Sequence, residues 1–332
     1  MGKRALLLTA VLACPLLGQI LPRFGEERVG SSAASALKAL GSARSAGLVS
    51  ATTALPEPGS VWLNPAVAAE QQGRYALVLA SQRLIAEVWH HALCVGYRFW
   101  EPGTVALSFS VVSLPPIEET TEFRPYGTGR QFRFGQWTAA LSYAHRFTEQ
   151  FAAGVTLRYV QENWAEVTLR GITWDAGTFY WTGIGSLRLA VAVSHFGLPL
   201  RAVGPLPEQG APARDFREFA PPTVFRIGLA GELLHDALQR WTWVASVEHP
   251  SDQSESYAVG SEYAVRFSSA FPAELLVRAG LRAQAAQWWA VGVGVRLPLA
   301  PFTLQLDYAL TAQPPFGLAH RFGCTVEPFR GP

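Results

Sequence analysis

From residue 74 to the end, the chain consists of about fourteen short stretches in which apolar and polar residues alternate with a period of two. Between Phe302 and Leu310, for example, one face carries Phe, Leu, Leu, Tyr and Leu, and the other carries Thr, Gln, Asp and Ala. This alternation is the pattern of a β-strand with one apolar and one polar face. It predicts an all-β protein, but a soluble sandwich and a membrane barrel would both show it.

The lengths of the predicted connections separate these two folds. Counted from a first strand at Tyr75, the even connections are mostly tight turns. The odd connections include all the long ones, at 114–134, 161–170, 197–222 and 249–255. In an up-and-down meander all odd connections lie on one side, and tight turns on one rim with long loops on the other are typical of bacterial outer-membrane barrels. We therefore predict an outer-membrane antiparallel β-barrel of about fourteen strands over residues 74–332.

Composition is consistent with a barrel in a membrane. Of the 332 residues 49% are hydrophobic, and the mean hydropathy is +0.14. Beyond the N-terminus, however, no stretch reaches the roughly 20 apolar residues that a spanning helix needs. The 11 Trp, 19 Phe and 9 Tyr, many near predicted strand ends, suit the aromatic girdles of membrane barrels. A net charge of +2 without a basic tract argues against nucleic acid as a partner, whereas outer-membrane lipid is expected.

The N-terminus has the features of an export signal. Lys3 and Arg4 precede an apolar run over residues 5–13, and small residues follow, which predicts a signal peptide at 1–18. The tetrapeptide ending at Cys14 is a weak lipobox, so lipidation of Cys14 stays open as an alternative to ordinary cleavage near Gly18. The localisation expected from these features is the bacterial outer membrane, with long loops extracellular and short turns periplasmic.

The sequence has no recognisable catalytic or metal-binding motif. A Gly-x-Ser-x-Gly elbow, a His-Glu-x-x-His pair and a metal-spaced Cys/His set are all missing from it. His90 and His91 are consecutive, so they should point to opposite faces of a strand and share no metal. Cys94 and Cys324 lie within strand patterns and are predicted to be free thiols. We expect a non-enzymatic protein without a cofactor or metal.

Residues 19–73 do not alternate and are predicted to form a separate N-terminal hatch. Residues 32–48 are rich in Ala, Ser, Leu and Gly, which predicts a small-residue helix that can pack inside a narrow space. Further along, Asn64 stands directly before Pro65 and Ala66. Asn before Pro commonly starts a turn, because the Asn side chain hydrogen-bonds to nearby backbone groups.

Short motifs in a fixed order extend over most of the chain. They are the run 29–34, the stretch 37–47 around Arg44, Trp62-Leu63-Asn64-Pro65-Ala66, Tyr126-Gly127-Thr128-Gly129 with Phe132, Trp174-Asp175-Ala176-Gly177-Thr178, and Asp307-Tyr308-Ala309. In this order they resemble the PorV/PorQ family, which belongs to the wider FadL-like group of fourteen-stranded outer-membrane barrels. Two positions depart from that family: Leu48-Val49 replaces its Met-Gly, and Val67 replaces the Gly after Asn-Pro-Ala.

The resemblance implies that Arg44, Asn64, Pro65 and Ala66 belong to a hatch that plugs the lumen. It also implies a function, a type IX secretion accessory or shuttle. Such a protein binds the C-terminal β-domain of secreted cargo and works with the translocon or the surface-attachment components. The alternative is a FadL-like transporter that passes hydrophobic small molecules across the outer membrane. Both use one architecture, so the fold alone does not decide between them.

Two groups of residues bear on this choice. In the loop 114–134, partner-binding candidates are Arg124, Tyr126, Gly127, Thr128, Gly129 and Phe132, because Arg and aromatic side chains are common in interface hot spots. The same loop would alternatively be a lid over the barrel mouth. The second group is predicted to face inward and to form ion pairs that hold the barrel shut. It comprises Arg158, Arg188, Arg226, Glu232, Glu248, Glu262, Glu274, Arg278, Arg282, Arg296 and Asp307.

Overall fold

The computed structural model describes residues 28–39, 41–84, 87–100, 102–204, 218–267 and 273–329. The predicted signal peptide and Cys14 lie outside the described residues. Within the described residues, no helix combines the length and the apolar character needed to cross a bilayer.

Fourteen antiparallel strands in the described ranges form a closed barrel, as predicted. Each strand pairs with the next in sequence, and the first pairs with the last, Leu79 lying opposite Cys324. The strands are β1 Tyr75–Arg83, β2 Trp89–Trp100, β3 Gly103–Ser113, β4 Phe134–Arg146, β5 Phe151–Trp164, β6 Val167–Trp181, β7 Arg188–Gly197, β8 Val224–His235, β9 Gln239–Pro250, β10 Ser256–Arg266, β11 Glu274–Ala283, β12 Trp289–Leu299, β13 Phe302–Ala312 and β14 Leu318–Pro328.

The alternating apolar and polar residues of each strand lie on opposite faces of the barrel wall. In β13 the polar members Gln305 and Asp307 are buried and face inward, whereas Phe302 and Leu306 are exposed on the outer face. The outer face is thus apolar and the inner face polar. This is the arrangement that a barrel in lipid requires, because its outer face contacts hydrocarbon.

The connections are sorted between two rims, which we call the long-loop rim and the short-turn rim. The two longest, 114–133 and 198–223, both lie at the long-loop rim. The first contains a two-stranded hairpin, Ile117–Glu118 with Gln131–Phe132, and the second contains a short strand, Arg201–Val203, that pairs with β6.

The long loop predicted at 161–170 is wrong. Strand β5 continues to Trp164 and β6 begins at Val167, leaving only two residues between them. Ala165 turns the chain with a φ of 54°. The end of β5 is polar, with Gln161, Glu162 and Asn163 in succession, so the alternation of apolar and polar residues stops there. The backbone hydrogen bonds between β5 and β6 nevertheless continue to Trp164.

In its described residues, the hatch lies inside the barrel and contains four short helices. These are the 3-10 helix Ser35–Ala39, α1 Ala43–Gly47, and the 3-10 helices Pro58–Trp62 and Pro65–Glu70. The single helix predicted over 32–48 is therefore wrong. A new helix, α1, begins after Ser42, whose side chain accepts a hydrogen bond from the Ser45 N–H and caps it.

Candidate functional site

The hatch fills the lumen as a packed core. Almost every residue from 42 to 69 is buried, and Leu48, Ser60 and Ala66 have no exposed surface. Helix α1 packs against β12, β13 and β14, and the helix Pro65–Glu70 packs against β4, β5 and β6. The hatch thus contacts opposite sides of the wall and closes the lumen.

Asn64 makes three hydrogen bonds, two within the hatch and one that connects the Asn-Pro-Ala motif to the wall. Its Nδ2 donates to the Thr53 carbonyl in the hatch and to the Thr178 carbonyl in β6, both at 3.1 Å. Its Oδ1 accepts from the Ala66 N–H at 3.0 Å and caps the helix Pro65–Glu70. This fully buried amide therefore makes the turn expected from the sequence and also bonds to the barrel.

Two glycines of the wall make room for this motif. A Cβ atom added to Gly154 of β5 would lie 2.7 Å from the Ala66 nitrogen and 2.8 Å from the Pro65 carbonyl oxygen. A Cβ added to Gly177 of β6 would clash with the Asn64 amide oxygen. The hatch backbone thus lies directly against the wall, and no larger residue fits at these positions in the observed arrangement.

Arg44 joins the hatch to a buried group of ion pairs that we call the central cluster. Its members are Arg44, Arg240, Arg278, Glu57, Glu262 and Asp307. Arg44 lies 2.7 Å from Glu262 of β10 and 3.1 Å from Glu57 of the hatch. Burial alone would lower the pKa of Arg44, but these carboxylates outweigh it and raise its pKa, so the guanidinium stays charged.

The wall supplies the rest of the central cluster. Arg278 of β11 lies 2.6 Å from both Glu262 and Asp307, and Arg240 of β9 lies 3.5 Å from Glu262. Glu262 is therefore shared by three arginines from two strands and the hatch. The cluster contains three arginines and three carboxylates, so its formal charges balance.

Other inward-facing charges are also paired. Arg158 of β5 lies 2.6 Å from Asp175 of β6. Asp175 also accepts a hydrogen bond from the His195 N–H at 2.6 Å, at a register shift between β6 and β7. Arg188 lies 2.6 Å from Glu232. The predicted inward-facing ion pairs are therefore present, but they join strands that are side by side or one strand apart and do not cross the lumen. Asp175 and Asp307 from the strand motifs both belong to them.

A strained turn follows α1. Val49 has a φ of 50° and Ser50 a φ of 61°, a region that β-branched residues rarely adopt. Val49 stands where the PorV/PorQ pattern has glycine, so the departure falls at a position that favours glycine. The Val49 carbonyl accepts a hydrogen bond from Arg282 of β11, and its side chain lies against Gly280. The wall thus holds the hatch in a backbone conformation that costs free energy.

Several contacts that hold the hatch are not evident from the sequence. Lys38 lies 2.7 Å from Asp252 at the long-loop rim. At the short-turn rim, Glu70 lies 3.0 Å from Arg146 and accepts a hydrogen bond from the Trp181 indole at 3.0 Å. These pairs connect residues far apart in the chain, so no local motif indicates them.

The loop candidates lie outside the barrel. The side chains of Phe123 and Tyr126 are 93% and 99% exposed, so the loop tip does not pack over the mouth as a lid. Thr128 donates to Glu119 at 2.8 Å, and Phe132 pairs with Ile117 in the hairpin. The remaining candidates are placed in the same hairpin, Arg124 in a bridge with Thr121 and both Gly127 and Gly129 at positive φ.

An apolar cavity of about 740 Å³ lies on the outer face of the wall, over the seven adjacent strands β11–β14 and β1–β3. Leu79, Phe109, Leu306 and Phe322 line it, and all four are exposed. Because it faces outward, this cavity provides no route through the lumen.

The structure indicates no metal site in the described ranges, where no three His, Cys, Asp or Glu side chains converge. His90 is buried and His91 exposed, on opposite faces of β2 as predicted. Cys94 and Cys324 are free thiols.

The sequence matches no protein-family model and no curated protein. Solved structures are similar in fold. The CymD monoaromatic hydrocarbon channel has a TM-score of 0.53 at 12% identity, covering 88% of this chain and 98% of that one. A Pseudomonas aeruginosa FadL homologue has a TM-score of 0.52 at 10% identity, covering 87% and 98%. The Pseudomonas putida toluene transporter TodX has 0.50 at 11%, covering 79% and 91%. The chain thus has the closed fourteen-stranded fold of the FadL-like outer-membrane barrels. The proteins named above that share this fold include a channel and a transporter.

Proposed function

We propose that this protein passes hydrophobic small molecules across the outer membrane by displacement of its hatch, with the long loops extracellular. The observation that carries the proposal is a hatch packed through the lumen of a barrel whose fold is shared with hydrocarbon channels. Two of the proteins with similar structures are a monoaromatic hydrocarbon channel and a toluene transporter. We therefore infer that the substrate is a small hydrophobic molecule.

Passage requires the hatch to move, because its residues occupy the space that a solute would cross. Among the described residues, three ion pairs join the hatch to the wall: Arg44 with Glu262, Lys38 with Asp252, and Glu70 with Arg146. A buried ion pair contributes specificity more than net stability, since desolvation offsets much of its attraction. Such pairs fix the closed position of the hatch, and a displaced position then differs from it by only a modest free energy.

A disulfide between hatch and wall tests this movement. A Cβ on Gly323 of β14 would lie 3.0 Å from the Ala43 Cβ, slightly nearer than the roughly 3.5–4.5 Å between Cβ atoms in disulfides, so a small outward shift brings the pair into range. We expect the Ala43→Cys/Gly323→Cys variant, made with Cys324→Ser, to stop uptake of a radiolabelled aromatic hydrocarbon when oxidised. Uptake into outer-membrane vesicles should return after reduction.

The single variants Ala43→Cys and Gly323→Cys, each with Cys324→Ser, are the matched controls. They should show uptake that does not depend on the reductant. If the oxidised double variant takes up solute as fast as the reduced one, the solute does not cross through a displaced hatch. If vesicles with and without the barrel take up solute equally, the proposed function is wrong.

A second candidate is the type IX secretion accessory, and one observation favours it. The hairpin 114–133 presents Phe123 and Tyr126 almost fully to solvent, with Arg124 between them. Exposed aromatic and Arg side chains are typical anchors of protein interfaces. In this role the hairpin would bind the C-terminal β-domain of a secreted cargo protein, and the translocon or surface-attachment components would be further partners.

Native mass spectrometry of the barrel extracted from its own outer membrane tests this second role. We expect a co-purifying secreted protein with the unmodified barrel and its loss with Phe123→Ser/Tyr126→Ser. The control Ile184→Ser removes another exposed apolar side chain, 73% exposed in the turn between β6 and β7, and should keep the partner. A barrel that carries an apolar ligand and no protein would exclude the accessory role.

A further inference from the structure

The balance of charge inside the barrel differs between two regions. In the central cluster, three arginines meet three carboxylates. Near the long-loop rim, Arg226 and Arg282 share the single carboxylate of Glu248, at 3.1 and 3.0 Å. Arg321 of β14 lies on the same inner face and adds a third positive charge. This region therefore carries an excess of positive charge that the described side chains do not neutralise.

Arg321 is the member of this group that has no carboxylate partner among the described residues. It faces inward, opposite Gln82 of β1 and Ala309 of β13, and is only 6% exposed. Among the described residues its guanidinium has no carboxylate within ion-pair distance, and its Nε lacks a hydrogen-bond partner. Burying a charge without a partner costs far more free energy than burying a paired one.

A cavity of about 10 Å³ lies beside the Arg321 side chain. The wall lines it with Arg282 and Thr311, and the hatch lines it with Val49 and Ser50. Gln287 of the adjoining loop also lines it. Among the described residues, no carboxylate lines the cavity and the Thr311 hydroxyl has no hydrogen-bond partner. Two guanidinium groups, the Thr311 hydroxyl and the Gln287 amide thus surround this space, and the only formal charges among them are positive.

We propose that this cavity binds a small inorganic anion of the size of chloride. Its volume suits one water-sized occupant and excludes an organic carboxylate or a phosphate ester. An anion here would pair with Arg321 and accept hydrogen bonds from the guanidinium and from Thr311. Because Val49 and Ser50 form one side of the cavity, the bound anion also joins the strained turn of the hatch to β11, β13 and β14.

The neighbouring cavity on the other side of Arg321 has a different character. It also measures about 10 Å³ and is lined by Gln82, His90 and Gly41. The Gln82 Nε2 lies within hydrogen-bond distance of the Ala39 carbonyl and of His90 Nδ1. The Gln82 Oε1, an acceptor, and the His90 Nε2 have no partner among the described residues. Arg321 is the only guanidinium in the described lining of this cavity, whereas Arg282 adds a second one to the other, so the anion belongs in the cavity next to Arg282.

Bromide, which replaces chloride and scatters anomalously, tests the site. Crystals of the full barrel soaked in sodium bromide, measured at the bromine edge, should show a peak within hydrogen-bond distance of the Arg321 guanidinium. The peak should be lost in Arg321→Met. In solution, the unmodified barrel should unfold at a higher temperature in sodium chloride than in sodium gluconate at equal ionic strength. Arg321→Met should lose this difference, whereas Arg83→Met, an exposed rim arginine, should keep it.

Absence of the bromide peak from the unmodified barrel, or water alone in the cavity, would overturn the proposal. A peak that persists unchanged in Arg321→Met would mark an adventitious ion and would overturn it as well. The crystallographic result on the unmodified barrel decides the question even if Arg321→Met fails to fold. None of these outcomes depends on solute transport, so the inference and the proposed function can fail separately.

Discussion

Replacing Glu262 with Gln is expected to destabilise the barrel strongly and to loosen its hatch. The Glu262 carboxylate is 1% exposed and is shared by Arg44, Arg240 and Arg278. Removing its charge leaves three arginines with only Glu57 and Asp307. Loss of one partner from a buried ion pair costs about 3–5 kcal/mol, because a buried charge remains uncompensated. We expect a lower apparent unfolding temperature and faster protease cleavage within the hatch.

The matched control is Glu87→Gln. Glu87 pairs with Arg83 at 3.7 Å, but both side chains are more than half exposed. Exposed pairs contribute roughly 0–1 kcal/mol, so this variant should unfold as the unmodified barrel does. If Glu262→Gln also behaved like the unmodified barrel, the central cluster would not hold the hatch in place.

The barrel could be predicted because its determinants are local. The alternation of apolar and polar residues along a strand such as β13 indicates which side chains face lipid, and this requires no knowledge of the neighbouring strands. The turn at Asn64 was predictable for the same reason, since Asn and Pro act on adjacent backbone. Prediction failed at 161–170 and at 32–48. In the first case polar residues continue a strand beyond the alternating part, and in the second a single side chain, Ser42, restarts a helix.

The candidate site was less predictable because its contacts join distant parts of the chain. The sequence indicated that Arg44 lies in the hatch and that Glu262 faces inward, but their 2.7 Å contact spans 218 residues. It depends on how far the hatch extends along the lumen and on which strand it faces. Arg321 was not among the charges predicted to face inward, and its lack of a carboxylate partner depends on the neighbouring strands and the hatch, which the local sequence does not show.

The glycines of the wall illustrate the same limit. In sequence, Gly154 resembles any glycine in a strand, where glycine usually marks a bulge or a close approach. Only the placement of the hatch shows that the close approach is to the backbone of Pro65 and Ala66. The role of Gly154 is therefore a property of the assembled lumen.

Replacing Gly154 with Val is the second change for which we expect a large effect. Its Cβ would lie 2.7 Å from the Ala66 nitrogen, and backbone that is bonded through Asn64 cannot shift without breaking those bonds. Overpacking typically costs about 1–3 kcal/mol, and displacement of the hatch relieves the clash here. We therefore expect an open lumen, seen as frequent ion-conducting events in planar lipid bilayers, where the unmodified barrel conducts rarely.

Ala153→Val is the control for this experiment, because it places the same side chain one residue earlier in β5, on the outer face of the wall. It should conduct as rarely as the unmodified barrel. Since both variants add the same apolar volume to one strand, a difference between them reports the contact with the hatch and not a general weakening of the barrel. Equal conductance in the two variants would mean that the Asn-Pro-Ala motif does not close the lumen.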